Sequence, residues 1–295
     1  MRVQELGYVV IGAQRVADWR PFAEDILGMS TAPGPNDALY LKMDERDFRL
    51  AIVPSETDRL VASGWAVPSQ EAYDSLKNSL RERGVQLTDG VAEELHLRRV
   101  QEFFWLHDPD GNRIEVFWGP VCDFKPFVSP IGVPGFITGE LGLGHIVLPA
   151  SDVDACYRFW HETLGFGLSD ILTMNFGGQA VKLRFMHCEN KRQHSLALAG
   201  MPSPAGLIHM CVEMPSLKDV GLALDRVMNS NMKLVMTLGQ HVNDDAISFY
   251  FMTPGGAFFF EIGWQGVLKD WDRHTVFETT LPSYWGHKFV LNDPQ

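Results

Sequence analysis

Two histidines and one glutamate, far apart in the chain, have the residue types and the surroundings of metal ligands. His145 lies in Gly-Leu-Gly-His-Ile-Val-Leu, His209 in Gly-Leu-Ile-His-Met-Cys-Val and Glu261 in Phe-Phe-Phe-Glu-Ile-Gly-Trp. A polar side chain inside apolar, strand-forming sequence is costly to bury unless something compensates it. One divalent metal would compensate all three. Two histidines with one carboxylate form the ligand set of non-haem Fe(II) centres that keep coordination positions open.

The alternative is that these residues are three unrelated core polar groups, each satisfied by backbone hydrogen bonds. For any one of the three alone, this alternative is the better interpretation. The metal interpretation gains its weight from the way the rest of the chain would position them together.

An internal repeat supplies that positioning. Residues 6–11 resemble residues 143–148, and each copy is followed by a helical pattern that ends at a glycine, Gly28 or Gly165. Residues 103–111 and 248–256 each predict a hairpin with a Pro/Gly turn.

Two further segments, residues 66–84 and 214–231, have helical periodicity and complete the repeat. The chain therefore predicts an α+β fold of four βαβββ modules, two in each of two tandem domains. The expected domains are residues 1–132 and 133–295, joined through the Pro/Gly-rich stretch 129–135.

In this scheme His145 opens the third module, His209 opens the fourth, and Glu261 lies in the last strand of the fourth. Equivalent strands curled into one half-barrel would bring the three together. The first half has Tyr8 at the position of His145 and keeps only Glu115. We therefore expect a metal-free N-terminal domain and a catalytic C-terminal domain.

Composition narrows the possible partners and the location. The 295 residues carry a formal net charge of −12, which argues against a nucleic-acid partner. No apolar run approaches the length of a membrane span, and no signal peptide is evident at the N-terminus. The four cysteines have neither CxxC pairing nor zinc-like spacing, so we expect free thiols in a reducing, cytoplasmic setting.

Five motifs in order resemble one enzyme family over nearly the whole chain. They are residues 144–147, 192–197, 208–209, 238–244 with 249–250, and 261–264. The chain resembles the type I extradiol dioxygenases of the vicinal oxygen chelate superfamily, close to the 2,3-dihydroxybiphenyl 1,2-dioxygenases. The resemblance implies ring cleavage of a catechol with O₂ at a mononuclear Fe(II), with Mn(II) as an alternative metal, and it suggests a homo-oligomer.

The same resemblance assigns roles around the metal. His194 would lie beside O₂ as proton donor and acceptor, while His241 and Tyr250 would bond the catechol oxygens. Asn243 and Asp244 would hold His241 or its loop. A structural role for His241 stays open, because His96 matches it in the first half of the repeat; the other histidines, His287 among them, are predicted to be helix, turn or surface residues.

The resemblance also places pocket walls, at positions that here are apolar or aromatic. The expected substrate-binding residues are Val147, Met174, Met186, Asn243, Asp244 and Ser283, and the stretch 283–287 completes the wall. Such walls suit a catechol with a bulky apolar 3-substituent, such as 2,3-dihydroxybiphenyl.

Three alternatives to that substrate and function remain open. A carboxylated catechol such as 2,3-dihydroxy-p-cumate could be bound through Lys182 and Arg184, which alternate on a predicted strand. On the same fold, the other classes are a glyoxalase-type metal isomerase and a metal-free small-molecule binding protein.

One spacing departs from the family pattern. The interval from Pro254 to Glu261 is one residue longer than that from Pro109 to Glu115. An extra residue in a strand turns its side chains to the other face. We therefore expect a widened turn or a β-bulge at residues 255–256, which would let Glu261 face the metal.

Overall fold

The computed structural model describes residues 3–123, 125–176 and 178–291, which form two β-sheets flanked by helices. The N-terminal sheet consists of β1 (Glu5–Ala13), β2 (Ser30–Pro33), β3 (Leu39–Lys42), β4 (Leu50–Pro54), β5 (Arg59–Ala66), β6 (Thr88–Asp89), β7 (Val100–His107) and β8 (Arg113–Pro120). The C-terminal sheet consists of β9 (His145–Pro149), β10 (Gly167–Phe176), β11 (Gln179–His187), β12 (Leu196–Ala199), β13 (His209–Met214), β14 (Leu234–His241), β15 (Ile247–Met252), β16 (Phe259–Trp264), β17 (Phe277–Thr279) and β18 (Ser283–Trp285). The helices are α1 (Trp19–Pro21), α2 (Gln70–Glu82), α3 (Ala92–Arg98), α4 (Val153–Leu164) and α5 (Leu217–Met228).

The strand order follows the predicted modules. The N-terminal sheet runs β2-β3-β4-β1-β5-β8-β7-β6, and the C-terminal sheet repeats that order as β10-β11-β12-β9-β13-β16-β15-β14. In each sheet the first strands of two modules meet at the centre, and they are antiparallel. The predicted α+β fold of βαβββ modules is therefore confirmed, while the domain boundary at residue 132 stays a prediction.

Two features of the fold lie outside the simple repeat. Helix α3 is inserted between β6 and β7 in the N-terminal half, and β17 and β18 extend the C-terminal sheet at its two edges. Both additions matter to the polar centres described below.

The helices begin and end where local chemistry favours it. The Asp152 side chain caps α4 by accepting hydrogen bonds from two backbone N–H groups, and α4 ends at Gly165 with a φ of 77°. Its counterpart in the first module is an irregular helical stretch, Val16–Asp18, α1 and Phe22–Leu27, that ends at Gly28 with a φ of 76°. Pro21 lies inside this stretch and has no N–H to donate, so a regular amphipathic helix is not formed there.

One large apolar core joins the two halves, whereas each sheet keeps a smaller cluster on its other face. In the shared core the Trp65 and Trp160 rings are 5.5 Å apart, and so are the Phe22 and Phe260 rings. The separate cluster of the N-terminal sheet is rich in aromatic residues, while that of the C-terminal sheet is lined by smaller or more flexible ones.

The extra residue before Glu261 is absorbed by the turn. Strands β15 and β16 pair without a register shift, Tyr250 opposite Glu261, just as Trp105 lies opposite Glu115 in the first half. The added length falls between the strands, where both Gly255 and Gly256 adopt positive φ. The predicted widening is confirmed, and Glu261 faces the same side as its counterpart. Within the described ranges, no helix is long and apolar enough to cross a membrane.

Candidate metal centre and active site

Three adjacent strands at the middle of the C-terminal sheet bring the predicted ligands together. Cys211 on β13 lies opposite both His145 on β9 and Glu261 on β16. His209 precedes Cys211 by two positions on the same strand and therefore faces the same side of the sheet. The polar residues are buried here because their strands are central and carry apolar residues on the alternate positions.

The three ligand atoms form a nearly equilateral triangle. The Nε2 atoms of His145 and His209 are 3.2 Å apart, and they lie 3.1 and 3.2 Å from Glu261 Oε2. Ligand atoms about 2.1–2.2 Å from a metal on one face of an octahedron are separated by about 3 Å. The triangle thus has the size of one octahedral face, which leaves the opposite face for other ligands.

The charges fit a cation at this place. Glu261 is 2% exposed, and its Oε2 has no hydrogen-bond donor. Burial would raise the pKa of Glu261, but the surrounding imidazoles of His145, His209 and His241 hold it well below its ordinary range. Burial also lowers the pKa of His209, which favours the neutral imidazole that a metal requires. A buried carboxylate oxygen with only imidazoles beside it is the arrangement that a divalent ion completes.

Cys211 is close enough to be considered as a ligand. Its Sγ falls within 4.8 Å of the ligand atoms of His145 and Glu261. However, burial raises the pKa of this thiol well above its usual value, and Sγ donates to the carbonyl of Val212 at 3.6 Å. A metal binds the thiolate rather than the thiol, so His209 is the better third ligand.

His194 lies beside the ligand triangle, directly before β12. Its ring centroid is 4.1 Å from that of His145 and 5.0 Å from that of Phe185. Burial, followed by the neighbouring His145, lowers the pKa of His194 well below its ordinary value. Its Nδ1 is hydrogen-bonded to Gln193 Oε1 at 2.6 Å, and Asp244 Oδ2 lies 3.8 Å away.

His241 and Tyr250 lie on the opposite side of Glu261. The His241 Nε2 atom is 2.7 Å from the Tyr250 hydroxyl and 3.4 Å from Glu261 Oε1. Burial opposes charging of His241, but Glu261 outweighs it and raises the pKa of His241 to about 9. Burial and the same carboxylate raise the pKa of Tyr250 well above 10. This side of the site therefore holds groups that keep their protons, whereas His194 is kept neutral.

The structure also brings His287 into the site; the resemblance places it in the pocket-wall stretch 283–287, but the sequence interpretation gives its side chain no role beside His241. Its ring lies 4.1 Å from that of His241, tilted by 31°, and its nitrogens bond Ser283 Oγ at 2.7 Å and the Ser248 carbonyl at 3.0 Å. Burial lowers the pKa of His287 to about 4. The sequence feature that indicates this contact is the position of His287 four residues after Ser283, in the stretch that the resemblance places in the pocket wall.

The remaining predicted polar residues lie around His241. Ser283 on β18 pairs with His241 across the sheet edge. Asp244 is buried and accepts the Ala246 N–H, and burial raises its pKa to about 6. Asn243 is half-buried in the connection between β14 and β15.

The apolar residues divide between the two faces of the sheet, and one prediction was wrong in this respect. Val147 and Met174 belong to the cluster on the ligand side, together with Leu172, Leu183, Phe185, Ala197, Ala199, Met201 and Ile208. Met186 instead packs in the shared core on the other face, and Phe185 takes the place beside the ligands. The reason is the two-residue period of strand β11.

The same alternation places Lys182 and Arg184, the two candidate cations for a carboxylated substrate, away from the ligand face. Lys182 and Arg184 both pair with Asp154 on helix α4, outside the ligand face. No other role for them at the site is indicated.

The N-terminal half contains a counterpart centre that uses an arginine. Arg98, from the inserted helix α3, donates to both oxygens of Glu115 at 3.0 and 2.8 Å, and the Tyr8 hydroxyl donates at 2.6 Å. Arg113 adds a further contact of 2.9 Å. Gly64 pairs with Tyr8 and Glu115 as Cys211 pairs with His145 and Glu261, which puts Ala62 at the position of His209.

His96, which matched His241 in the sequence repeat, is exposed on α3 rather than in a strand. It therefore gives no support to a purely structural role for His241.

Comparisons with known proteins cover both halves. The dihydroxybiphenyl dioxygenase BphC D1 family model matches residues 6–54, and the glyoxalase/bleomycin resistance protein/dioxygenase superfamily model matches residues 142–259. An iron-dependent extradiol dioxygenase of Rhodococcus jostii (strain RHA1) is 40% identical over 99% of both chains. A 3-methylcatechol 2,3-dioxygenase of Pseudomonas putida is 38% identical over 98% of this chain and 99% of that one.

Two further matches extend these similarities. A biphenyl-2,3-diol 1,2-dioxygenase of Metapseudomonas furukawaii is 36% identical over 98% of this chain and 95% of that one. The crystal structure of BphC, described as a halotolerant catechol dioxygenase, superposes with a TM-score of 0.91 at 32% identity and covers 99% of this chain and 96% of that one.

Proposed function

Because the chain belongs to the extradiol catechol dioxygenases, we propose that it cleaves a 3-substituted, bicyclic catechol next to its hydroxyl groups, using O₂ and a mononuclear Fe(II). The observation that carries the proposal is the triangle of His145, His209 and Glu261, with its buried oxygen that lacks a donor, beside an apolar cluster. The bicyclic substrate, such as 2,3-dihydroxybiphenyl, follows from that cluster and from the names of the relatives.

His145, His209 and Glu261 would hold the metal, and the iron of the proposal is supported by the printed name of the relative from Rhodococcus jostii. When bound, the ion supplies the redox-active centre through which an electron-rich catechol reacts with O₂. The same ligands suit Mn(II), which we keep as the alternative metal.

The residues on the two sides of the triangle would divide the handling of protons. His241 and Tyr250, whose pKa values are raised, would bond and orient the catechol oxygens. His194 is neutral because burial lowers its pKa, so it would accept a proton near the opposite side and return it later. Asp244, Asn243, Ser283 and His287 would support these side chains rather than meet the reacting atoms.

The pocket next to the triangle would receive the ring substituent. Val147, Met174 and Phe185 lie on the ligand side together with the small side chains of Ala197 and Ala199. Since Lys182 and Arg184 are engaged outside this face, a carboxylated catechol such as 2,3-dihydroxy-p-cumate loses the cations that would have favoured it. No observation favours a metal-free binding protein, because that function would leave Glu261 Oε2 buried without a hydrogen-bond donor.

The test is activity of the anaerobically reconstituted protein. We expect Fe(II)-loaded protein in air to turn 2,3-dihydroxybiphenyl into a yellow ring-fission product, with one O₂ consumed per catechol. Catechol, 3-methylcatechol and 2,3-dihydroxy-p-cumate serve as matched substrates of smaller size or added charge. A higher kcat/KM for 2,3-dihydroxy-p-cumate than for the bicyclic catechol would overturn the substrate, and bound iron without turnover of any catechol would overturn the reaction.

The compartment and the assembly belong to the same proposal. Cys122, Cys156, Cys188 and Cys211 are all free thiols, which supports a reducing, cytoplasmic setting. A homo-oligomer is proposed from the family, and light scattering coupled to size-exclusion chromatography measures it directly.

A further inference from the structure

A chain of buried side chains connects Asp170 on β10 to His194. Gln193 Nε2 donates to Asp170 Oδ2 at 2.6 Å, and Gln193 Oε1 is 2.6 Å from His194 Nδ1. Asp170 is 3% exposed, Gln193 is 1% and His194 is 4%. Since water does not reach these groups, their hydrogen bonds have to be satisfied by one another.

The chemistry of the first group fixes the orientation of the other two. Burial raises the pKa of Asp170, yet both of its oxygens accept hydrogen bonds, Oδ1 from the Phe277 backbone N–H at 2.9 Å and Oδ2 from Gln193. The amide NH₂ of Gln193 must therefore face Asp170, which turns the amide oxygen to His194. An oxygen that only accepts requires a proton on His194 Nδ1, so the free ring nitrogen is Nε2, on the far side of the ring.

The geometry points to Gln193 and Asp170 as positioning residues: we propose that they hold His194 in the tautomer with the proton on Nδ1 and reserve Nε2 for exchanging a proton with the reactants. This inference rests on the proposed function of the site. The Gln193 amide is uncharged, so it orients the His194 ring without itself placing a negative charge beside that ring.

Other contacts secure the chain at both ends. Ser169 Oγ donates to the Gln193 carbonyl at 2.5 Å, and Asp170 is tied through Phe277 to β17. Asp244 Oδ2 lies 3.8 Å from His194 Nδ1, beyond hydrogen-bond distance. Gln193 is therefore the direct hydrogen-bond partner of His194 Nδ1. Strand β17 in turn holds Asp170, the other partner of Gln193, through the Phe277 backbone N–H.

Two variants test the inference by kinetics. Gln193→Met keeps the length of the side chain and removes both hydrogen bonds, while Asp170→Asn can satisfy only one of the two donors. We expect kcat to fall about 10- to 100-fold in Gln193→Met and about 3- to 10-fold in Asp170→Asn, with the KM for the catechol within about threefold. Asn190→Ala is the matched control, because it removes buried hydrogen bonds in the same segment without contact to His194; its kcat should stay within about twofold of the wild type.

A second measurement does not depend on turnover. In Zn(II)-loaded protein with ¹⁵N-labelled histidine, the Nδ1–H signal of His194, identified by its loss in His194→Asn, should be present in the wild type and lost or mixed in Gln193→Met. An unchanged kcat in Gln193→Met, an equal loss in Asn190→Ala, or an Nε2–H tautomer in the wild type would each overturn the inference. Failure of the wild type to cleave any catechol would instead refute the proposed function.

Discussion

The two halves of this molecule solve the same physical problem in different ways. Each half buries a glutamate, Glu115 or Glu261, at the equivalent position of the equivalent strand of its sheet. In the N-terminal half the Arg98 guanidinium, fixed on a helix of the same chain, permanently neutralises the carboxylate. In the C-terminal half no arginine or lysine of the described residues pairs with Glu261, and the triangle it forms with His145 and His209 would take its cation from solution.

The apolar clusters beside the two centres also differ in the size and rigidity of their side chains. Tyr40 and Phe48 stack at 4.6 Å in the N-terminal cluster, and Tyr8 stacks on Phe117 at 4.8 Å, so aromatic rings fill the space. The C-terminal cluster has Ala197 and the flexible Met174 instead. The built-in cation and the packed aromatic rings suit the N-terminal half to supporting the fold, and we propose that the C-terminal half binds an exchangeable cation and carries out the chemistry.

The largest effect should follow from removing a ligand in the C-terminal half. In His145→Ala the triangle loses a corner, and activity should fall about 1,000-fold or more, since even partners of metal ligands contribute about 10- to 100-fold. Iron content after gel filtration and the rate of ring cleavage measure the two losses. Tyr8→Phe, the matched change at the equivalent strand position, should leave both within about twofold; a comparable loss there would mean that the two halves are not functionally separate.

The next largest effect concerns stability in the N-terminal half. Arg98→Met leaves Glu115 buried with less compensation, and breaking a buried pair in this way costs about 3–5 kcal/mol of the free energy of unfolding. Urea unfolding of the single variant measures this cost. The double variant Arg98→Met with Glu115→Gln removes the charge as well and should recover part of the stability. If the double variant were no more stable than the single one, Arg98 would not be acting as the cation for Glu115.

The sequence predicted the C-terminal centre better than the N-terminal one, for a physical reason. His145, His209 and Glu261 belong to repeating strands, so the repeat indicated that they would lie together, while their role as metal ligands stays a prediction. The fold class, the family and the enzyme class were confirmed. Arg98 comes from an inserted helix and His287 from the C-terminal segment. Neither has a counterpart in the repeat, so only the folded chain shows what they contact.

The inward face of strand β11 is the second feature that the sequence interpretation assigned incorrectly. The resemblance predicts that Met186 faces the pocket, and Lys182 and Arg184 are the candidates for binding a carboxylated substrate. All three side chains lie on the same face of β11. The opposite face, with Leu183 and Phe185, is the one that belongs to the ligand-side cluster. Alternation along a strand is regular, so a choice wrong by one position exchanges every side chain on it. The sequence of β11 contains the signal for the inward face, because Val181, Leu183 and Phe185 alternate with the charged Lys182 and Arg184.

A substitution at Met174 would make the C-terminal cluster more like the aromatic N-terminal one. Met174→Phe places a rigid ring in the ligand-side cluster. The kcat/KM for 2,3-dihydroxybiphenyl should fall about 10- to 100-fold, because a pocket that loses space equal to a few carbon atoms discriminates by about that factor. The kcat/KM for catechol itself should change less than about threefold. Equal losses for the two substrates would show that Met174 affects the centre as a whole rather than the space for the substituent.

The smallest expected effect is at Lys182, and it tests the assignment of faces directly. Lys182→Met removes a charge that is held by Asp154 on the outside of the sheet. The ratio of kcat/KM for 2,3-dihydroxy-p-cumate to that for 2,3-dihydroxybiphenyl should therefore stay within about twofold, as expected for a partly exposed ion pair away from the site. Asp154→Asn, which frees the same lysine without removing it, is the matched control and should also leave the ratio unchanged. A tenfold fall confined to the carboxylated substrate in Lys182→Met would place this cation at the pocket, and it would return the carboxylated catechols to consideration, because the apolar interior of the C-terminal half would then include a charge.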